Sequence, residues 1–184
     1  MKKIWCPRIR NAKKLIIDHQ ISSQSTPKVC VLHVGTNDLS EKNEQDLANE
    51  ICNTYEAIKA IGSKFVFSTI APRFDAPPLN AKAVLVNAIV VSRLEGLADV
   101  AIARNDNLYT NGVINKDYYD EDGTHVNDDG ASIIANNTRH AVCRALDMEL
   151  LSTKKSDRIN NRDRGRGRGG RGTRGNRFDR GHYR

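Results

Sequence analysis

The chain has 184 residues and a formal net charge of +7 at pH 7, which leaves room for one domain of about 150 residues and a shorter appendage. The first ten residues lack the apolar core of a signal peptide, and no stretch approaches the roughly 18 apolar residues of a membrane span. The sequence therefore predicts an intracellular protein, cytoplasmic or nuclear, with no membrane partner. Composition does not indicate an oligomeric state.

The positive charge is concentrated near the C-terminus. Residues 152–184 contain 12 basic and 3 acidic residues, a net charge of +9, so residues 1–151 carry a net charge of −2. Bulk charge therefore favours a polyanionic partner for the C-terminal segment alone.

The four cysteines form no CxxC pair, and three of them occupy apolar periodic positions. This pattern favours buried, reduced thiols over a zinc site or a disulfide framework, so no metal or cofactor is predicted. The thiols concerned are Cys6, Cys30, Cys52 and Cys143, of which Cys6 is expected to be unreactive in its apolar surroundings.

Strand and helix patterns alternate along residues 1–151. An unbroken apolar run such as the one ending at Val34 is typical of a parallel strand covered on both faces. The predicted strands are Lys2–Cys6, a central strand Val29–Val34, Lys64–Ile70 and Asp99–Ala103. The predicted helices are Arg8–Ile21, Asn43–Ile61, Asn80–Leu97 and Asp128–Leu150, with Asp128 as an N-cap, a loop over 71–79 and a long polar segment over 104–123. This alternation predicts a three-layer α/β/α sandwich with a parallel sheet and right-handed crossovers.

Two polar clusters flank these elements. Gly35 to Asp38 follows the central strand, and Asp122 to His125 precedes the last helix. An Asp three residues before a His can orient the imidazole and leave its far nitrogen as a base. Asn37 can donate a hydrogen bond to a developing oxyanion. Taken separately, each cluster is more simply explained as a turn with a capping side chain.

Together, GxND after a strand and DxxH before the terminal helix resemble the third and fifth sequence blocks of the SGNH (GDSL) hydrolases. The resemblance covers residues 4 to about 150. It implies a flavodoxin-like domain that hydrolyses esters, thioesters or acetyl groups through a serine. It also implies that His125 is the base, Asp122 its orienting partner, and Asn37 and Gly35 part of the oxyanion hole. Ser68 and Arg73 are expected near the same edge and are given no role.

The chain departs from this family at its N-terminus. The Gly-Asp-Ser block that carries the nucleophile is absent, and Pro7 and Arg8 stand where the family has a glycine donor; proline has no N–H. The serines before the central strand are expected at the wrong end of the sheet: Ser22, Ser23 and Ser25. The nucleophile thus remains unknown. We expect a domain, residues 1–151, that lacks its N-terminal nucleophile strand and is inactive as it stands, through truncation or through true loss of the block.

Residues 152–184 form an arginine- and glycine-rich segment that gives a second indication of function. The segment is rich in arginine and glycine, has no apolar periodicity, and is expected to be disordered. It resembles RGG boxes, which bind RNA through phosphate contacts and stacking; a solubilising or nuclear-targeting tail is the alternative. The arginines expected to bind RNA or another polyanion are Arg164, Arg166, Arg168, Arg171, Arg174, Arg177 and Arg180.

Three hypotheses follow for the whole chain. The first is an esterase-like domain for a small ester substrate, incomplete as written, with an RNA-binding tail. The second is a non-catalytic module of the same fold that serves as an RNA-binding protein. The third is a fragment of a mobile-element protein.

Overall fold

The computed structural model describes residues 6, 8–22 and 26–149. The predicted first strand, except for Cys6, lies outside these residues, as do Pro7, Ser23, Ser25 and the arginine-rich segment. In chain order the elements are α1 (Ile9–Ser22), β1 (Val29–Leu32), α2 (Glu44–Ala60), β2 (Lys64–Ser68), α3 (Pro77–Leu94), β3 (Val100–Ala103), two short strands, β4 (Tyr109–Thr110) and β5 (Val113–Ile114), and α4 (Asp128–Ala145).

Strands β1, β2 and β3 form a parallel sheet in that order. Phe65 pairs with Cys30 on one side and with Val100 on the other. Within the described residues β2 is therefore the middle strand, and β1, expected to be central, lies at an edge. The burial of the side chains supports this strand order, because Phe65 to Ser68 of β2 are buried without interruption whereas Val31 of β1 is 39% exposed.

Helices cover both faces of this sheet. On one face α1, α2 and α3 pack their apolar stripes against alternate strand residues, including Leu32 and Phe67. On the other face the small side chains of Ala141 and Ala145 let α4 lie close to Val66. The predicted three-layer α/β/α arrangement is confirmed.

Helices α3 and α4 differ from the sequence prediction by more than one residue at an end. Helix α3 begins at Pro77, not Asn80, because a proline in the first helical turn has no N–H to satisfy there. Helix α4 is capped by Asn127, not Asp128, since the Asn127 side chain accepts from the N–H groups of Asp129 and Gly130. This helix ends at Ala145, earlier than predicted.

The long polar segment 104–123, in which no element was predicted, contains the antiparallel hairpin β4–β5. Its turn uses Asn111 and Gly112, both with positive φ angles, as a tight hairpin requires.

No helix in the described part of the chain is both long and apolar enough to cross a membrane. The same residues contain no group of three or more His, Cys, Asp or Glu side chains placed to hold a metal ion. The four cysteines are unpaired and only partly buried. Burial raises the pKa of the Cys6 thiol, which favours its protonated, unreactive form.

Candidate functional site

The first polar cluster forms a tight turn at the carboxyl end of β1. Gly35 has φ 114°, and Thr36 to Asp38 form a short 3-10 helix. A Cβ atom at Gly35 would lie 2.6 Å from Cδ1 of Ile70, much closer than carbon atoms tolerate. The positive φ angle at this position favours glycine, and an added Cβ would also displace the side chain of Ile70, which lies two residues after β2.

Asp38 joins this turn to the start of α1. Its Oδ2 accepts a hydrogen bond from the N–H of Ile9 at 3.1 Å, which satisfies one of the free donors at the helix N-terminus. Arg8 donates to the backbone carbonyl of Asn37 at 3.1 Å and pairs with Glu41 at 2.5 Å. Burial raises the pKa of the Asp38 carboxyl group. The turn carrying Asn37 is thus held in place by the first residue of α1 and by Arg8, which precedes this helix.

The second cluster lies in a loop closed by an antiparallel bridge between Tyr119 and Val126. Within it, the N–H of Asp120 donates to the carbonyl of His125 at 2.9 Å. The loop therefore turns tightly enough to bring the side chain of Asp122 back onto His125.

Asp122 orients the histidine through both of its oxygen atoms. Oδ1 accepts from the N–H groups of Thr124 and His125, each at 2.8 Å. Oδ2 lies 2.5 Å from Nδ1 of the His125 ring. The predicted contact between these two side chains is present, and it leaves the far ring nitrogen, Nε2, available for proton transfer.

The electrostatics of this pair suit a base. The hydrogen bond from the imidazole, together with the two backbone donors, lowers the pKa of Asp122 to about 2. The same carboxylate raises the pKa of His125, whose side chain is 76% exposed. Asp122 therefore favours the imidazolium that forms when the ring takes up a proton.

The loop carrying His125 rests on the segment that follows β2. Tyr119 donates its hydroxyl to the carbonyl of Pro72 at 2.6 Å, and the N–H of Phe74 donates to the carbonyl of Gly123 at 3.0 Å. The ring of Phe74 packs edge-on against that of Tyr119. These contacts place the loop at the carboxyl edge of the sheet, where open α/β sheets bind ligands.

Arg73 adds a polar contact to this support. It pairs with both carboxylate oxygens of Asp75, at 2.7 and 2.5 Å, and donates to the hydroxyl of Thr124 at 3.1 Å. The guanidinium therefore fixes the middle of the DxxH motif. Arg73 was expected near this edge and was given no role; no local sequence pattern indicates that it reaches Thr124.

Both polar clusters thus contact the same short stretch of chain, Ile70 to Asp75: Gly35 packs against its first residue, and Gly123 and Thr124 against its later ones.

No serine among the described residues hydrogen-bonds to the His125 ring. Ser68, expected near this edge, is the last residue of β2 and is fully buried. The nucleophile therefore remains unassigned.

No protein-family model and no curated protein sequence matches the chain. Several solved structures, however, are similar to this chain in fold. A GDSL-like lipase from Bacteroides thetaiotaomicron has a TM-score of 0.61 at 18% identity, over 74% of this chain and 69% of the lipase. A carbohydrate esterase of family 3 from Talaromyces cellulolyticus has a TM-score of 0.60 at 19% identity, over 78% and 70%. A mutant acetyl esterase holding an acetate ion has a TM-score of 0.59 at 19% identity, over 77% and 69%.

At such identities the similarity establishes the fold alone. The chain has the fold of the GDSL-like lipases and esterases, and the resemblance drawn from the two motifs is confirmed at that level.

Proposed function

We propose that residues 1–151 form a GDSL-type, esterase-like domain in which His125 is the base and Asp122 orients it. The observation that carries this proposal is the three hydrogen bonds received by the Asp122 carboxylate, two from backbone N–H groups and one from the ring. A carboxylate held this way fixes the imidazole of His125 through Nδ1, and Nε2 is then directed away from Asp122.

The site is arranged for the following reaction, whose attacking hydroxyl group no described residue supplies. Nε2 of His125 takes the proton of that hydroxyl group as the hydroxyl oxygen bonds to the carbonyl carbon of an ester. The negative charge that develops on the carbonyl oxygen is stabilised by the N–H of Gly35 and the amide of Asn37. The imidazolium then gives its proton to the departing alcohol oxygen as the ester bond breaks. The Asn37 turn is suited to this role because α1 and Ile70 hold it in place.

The domain lacks a described nucleophile, and we therefore propose that it binds an acyl group without turning it over. Labelling of the full chain with a fluorophosphonate probe tests this part. We expect no covalent adduct. An adduct on a serine would show that the chain supplies its own nucleophile, and peptide mapping would identify it.

The proposal that Asn37 and His125 contact one bound acyl group is tested by titration of the full chain with acetate, the product of an acetyl ester. The signals of both residues are followed by NMR. Both signals should shift with one dissociation constant, and His125→Ala should abolish the shift at Asn37, whereas His140→Ala should not. Sodium chloride at equal concentration controls for ionic strength. An absence of shifts at both residues would contradict the hydrolase-like site and favour a module of the same fold that binds RNA and no acyl group.

We further propose that residues 152–184 bind RNA or another polyanion through their arginines. The support is the net charge of +9 in a glycine-rich segment, since neutralised phosphates release counterions and give binding a steep salt dependence. Filter binding of RNA to the full chain and to a chain ending at residue 151 tests this role. We expect tight, salt-sensitive binding by the full chain only; equal affinities would contradict it.

A further inference from the structure

A second histidine lies at the same edge of the sheet. His33 directly follows β1, and its Nδ1 is 2.9 Å from the hydroxyl oxygen of Ser68, the last residue of β2. Ser68 is fully buried, while His33 is exposed to solvent. The proposed reaction uses neither side chain.

The hydrogen bonds around Ser68 determine which ring nitrogen of His33 carries the proton. Asn105 donates from Nδ2 to the backbone carbonyl of Thr69 at 2.6 Å and to the Ser68 hydroxyl oxygen at 3.1 Å. A carbonyl can only accept, so the orientation of the Asn105 amide is fixed and Ser68 accepts from it. The buried Ser68 proton then needs an acceptor of its own. In the described part of the chain, that acceptor is Nδ1 of His33.

Further contacts hold this arrangement from two other elements. Asn137 of α4 donates to Oδ1 of Asn105 at 3.0 Å. The N–H of Asn105 donates to the hydroxyl of Thr69 at 2.9 Å, and Asn105 is only 2% exposed. Because every polar atom of the Asn105 side chain is engaged, the amide cannot rotate without breaking hydrogen bonds to β2 and α4. The Nδ1 atom of His33 is therefore held as an acceptor, and its proton lies on Nε2.

Nε2 of His33 is open to a ligand. His33 is exposed to solvent, and among the described residues only its Nδ1 ring atom has a hydrogen-bond partner. Desolvation by the surrounding protein lowers the pKa of His33 from its ordinary value of 6.5, which favours the uncharged ring at pH 7.

We propose that His33 presents Nε2–H as a fixed, uncharged hydrogen-bond donor to a carbonyl or ester oxygen of the bound molecule. The donor lies two residues before Gly35, at the edge that carries the proposed oxyanion site. A neutral carbonyl suits it better than a phosphate group, because a phosphate would favour a charged partner. The assignment of the substrate oxygen rests on the proposed function, whereas the state of the ring does not.

The ring state is tested on the full chain with nitrogen-15-labelled histidine. A long-range proton–nitrogen correlation spectrum at pH 7 should show His33 as one tautomer, with Nδ1 unprotonated and Nε2 protonated. His140, which has no described side-chain partner, is the internal control and should show a tautomer mixture. Ser68→Ala should shift His33 towards such a mixture, and Ser132→Ala, on the outer surface of α4, should leave it unchanged.

A protonated Nδ1 in the unaltered chain would overturn the proposal without any variant being needed, and it would leave the hydrolase proposal intact. An unchanged His33 tautomer in a folded Ser68→Ala chain would also overturn it. Folding of that variant is checked by its thermal transition.

The ligand class is tested with acetamide, a neutral carbonyl compound, against inorganic phosphate. Acetamide should shift the Nε2–H signal of His33, and phosphate should shift it less. A larger effect of phosphate, or no shift with acetamide, would overturn the assigned ligand class. If acetamide shifts His33 while acetate leaves Asn37 and His125 unmoved, the donor stands and the proposed hydrolase site fails.

Discussion

Gly123, the second residue of the DxxH motif, offers the sharpest test of how the His125 loop is held. Its φ is 68°, and an added Cβ would lie 2.7 Å from the ring of Phe74 and 3.0 Å from the N–H nitrogen of Asp75. The Phe74 ring is not free to swing away, because it packs edge-on against Tyr119 and lies under the Lys116 ammonium group, 5.1 Å from the ring centre. Gly123→Ala should therefore push the loop off its support.

Gly112 is a matched control. Its φ of 79° is similar, but a Cβ there would meet nothing within 4 Å. Both alanine variants incur the left-handed backbone cost of about 1–2 kcal/mol. Only Gly123→Ala adds the steric term of an overpacked site, about 1–3 kcal/mol. We expect Gly112→Ala to lower the free energy of unfolding by about 1–2 kcal/mol and Gly123→Ala by about 2–5 kcal/mol.

Urea denaturation gives these free energies, and NMR titration of His125 provides a second, local measurement. In Gly123→Ala the pKa of His125 should fall, because the displaced loop separates the ring from the Asp122 carboxylate that raises that pKa. In Gly112→Ala it should not change. Equal stabilities for the two variants, with the same His125 pKa, would refute the view that Phe74 and Gly123 seat the loop.

Three further predictions concern the same region. Asp122→Asn should lower the pKa of His125 in an NMR titration. It should also remove the stability that the Asp122 carboxylate gives above its ordinary pKa of 3.8 and that is lost as the pH falls towards about 2; an unchanged profile of stability against pH would contradict this. Tyr119→Phe should cost about 1–3 kcal/mol in urea denaturation, because it leaves the buried carbonyl of Pro72 unpaired, whereas Tyr118→Phe should cost little. Asn127→Ala should cost about 1–2 kcal/mol by removing the cap of α4, and a loss equal to that of Asp128→Ala would argue against the cap.

Much of the fold follows from local patterns. The apolar runs at Lys64 and Asp99 predicted β2 and β3 to within two residues at each end, because a strand covered on both faces must be apolar throughout. The start of α3 was missed because prolines usually end helices, yet they are well suited to a first turn. The hairpin after β3 was missed as well, although Asn111 and Gly112 form a typical hairpin-turn pair.

In the candidate site, too, some contacts could be predicted from the sequence and others could not. The contact between Asp122 and His125 was predictable because the two residues are three apart in one loop. Arg73 and Thr124 are 51 residues apart, and no sequence pattern indicates that their side chains meet. The role of His33 was hidden for the same reason, since its partner Ser68 belongs to a different strand. Long-range polar contacts arise from the packing of elements and become visible only when the sheet is assembled.

The central claim is that His125 and Asn37 serve one bound acyl group at the carboxyl edge of the sheet. A crystal structure of the full chain grown with acetate tests it most directly. We expect one acetate ion with an oxygen atom within hydrogen-bond distance of the Asn37 amide and of Nε2 of His125. An acetate bound elsewhere, or side chains of Asn37 and His125 too far apart to share one ion, would contradict the claim.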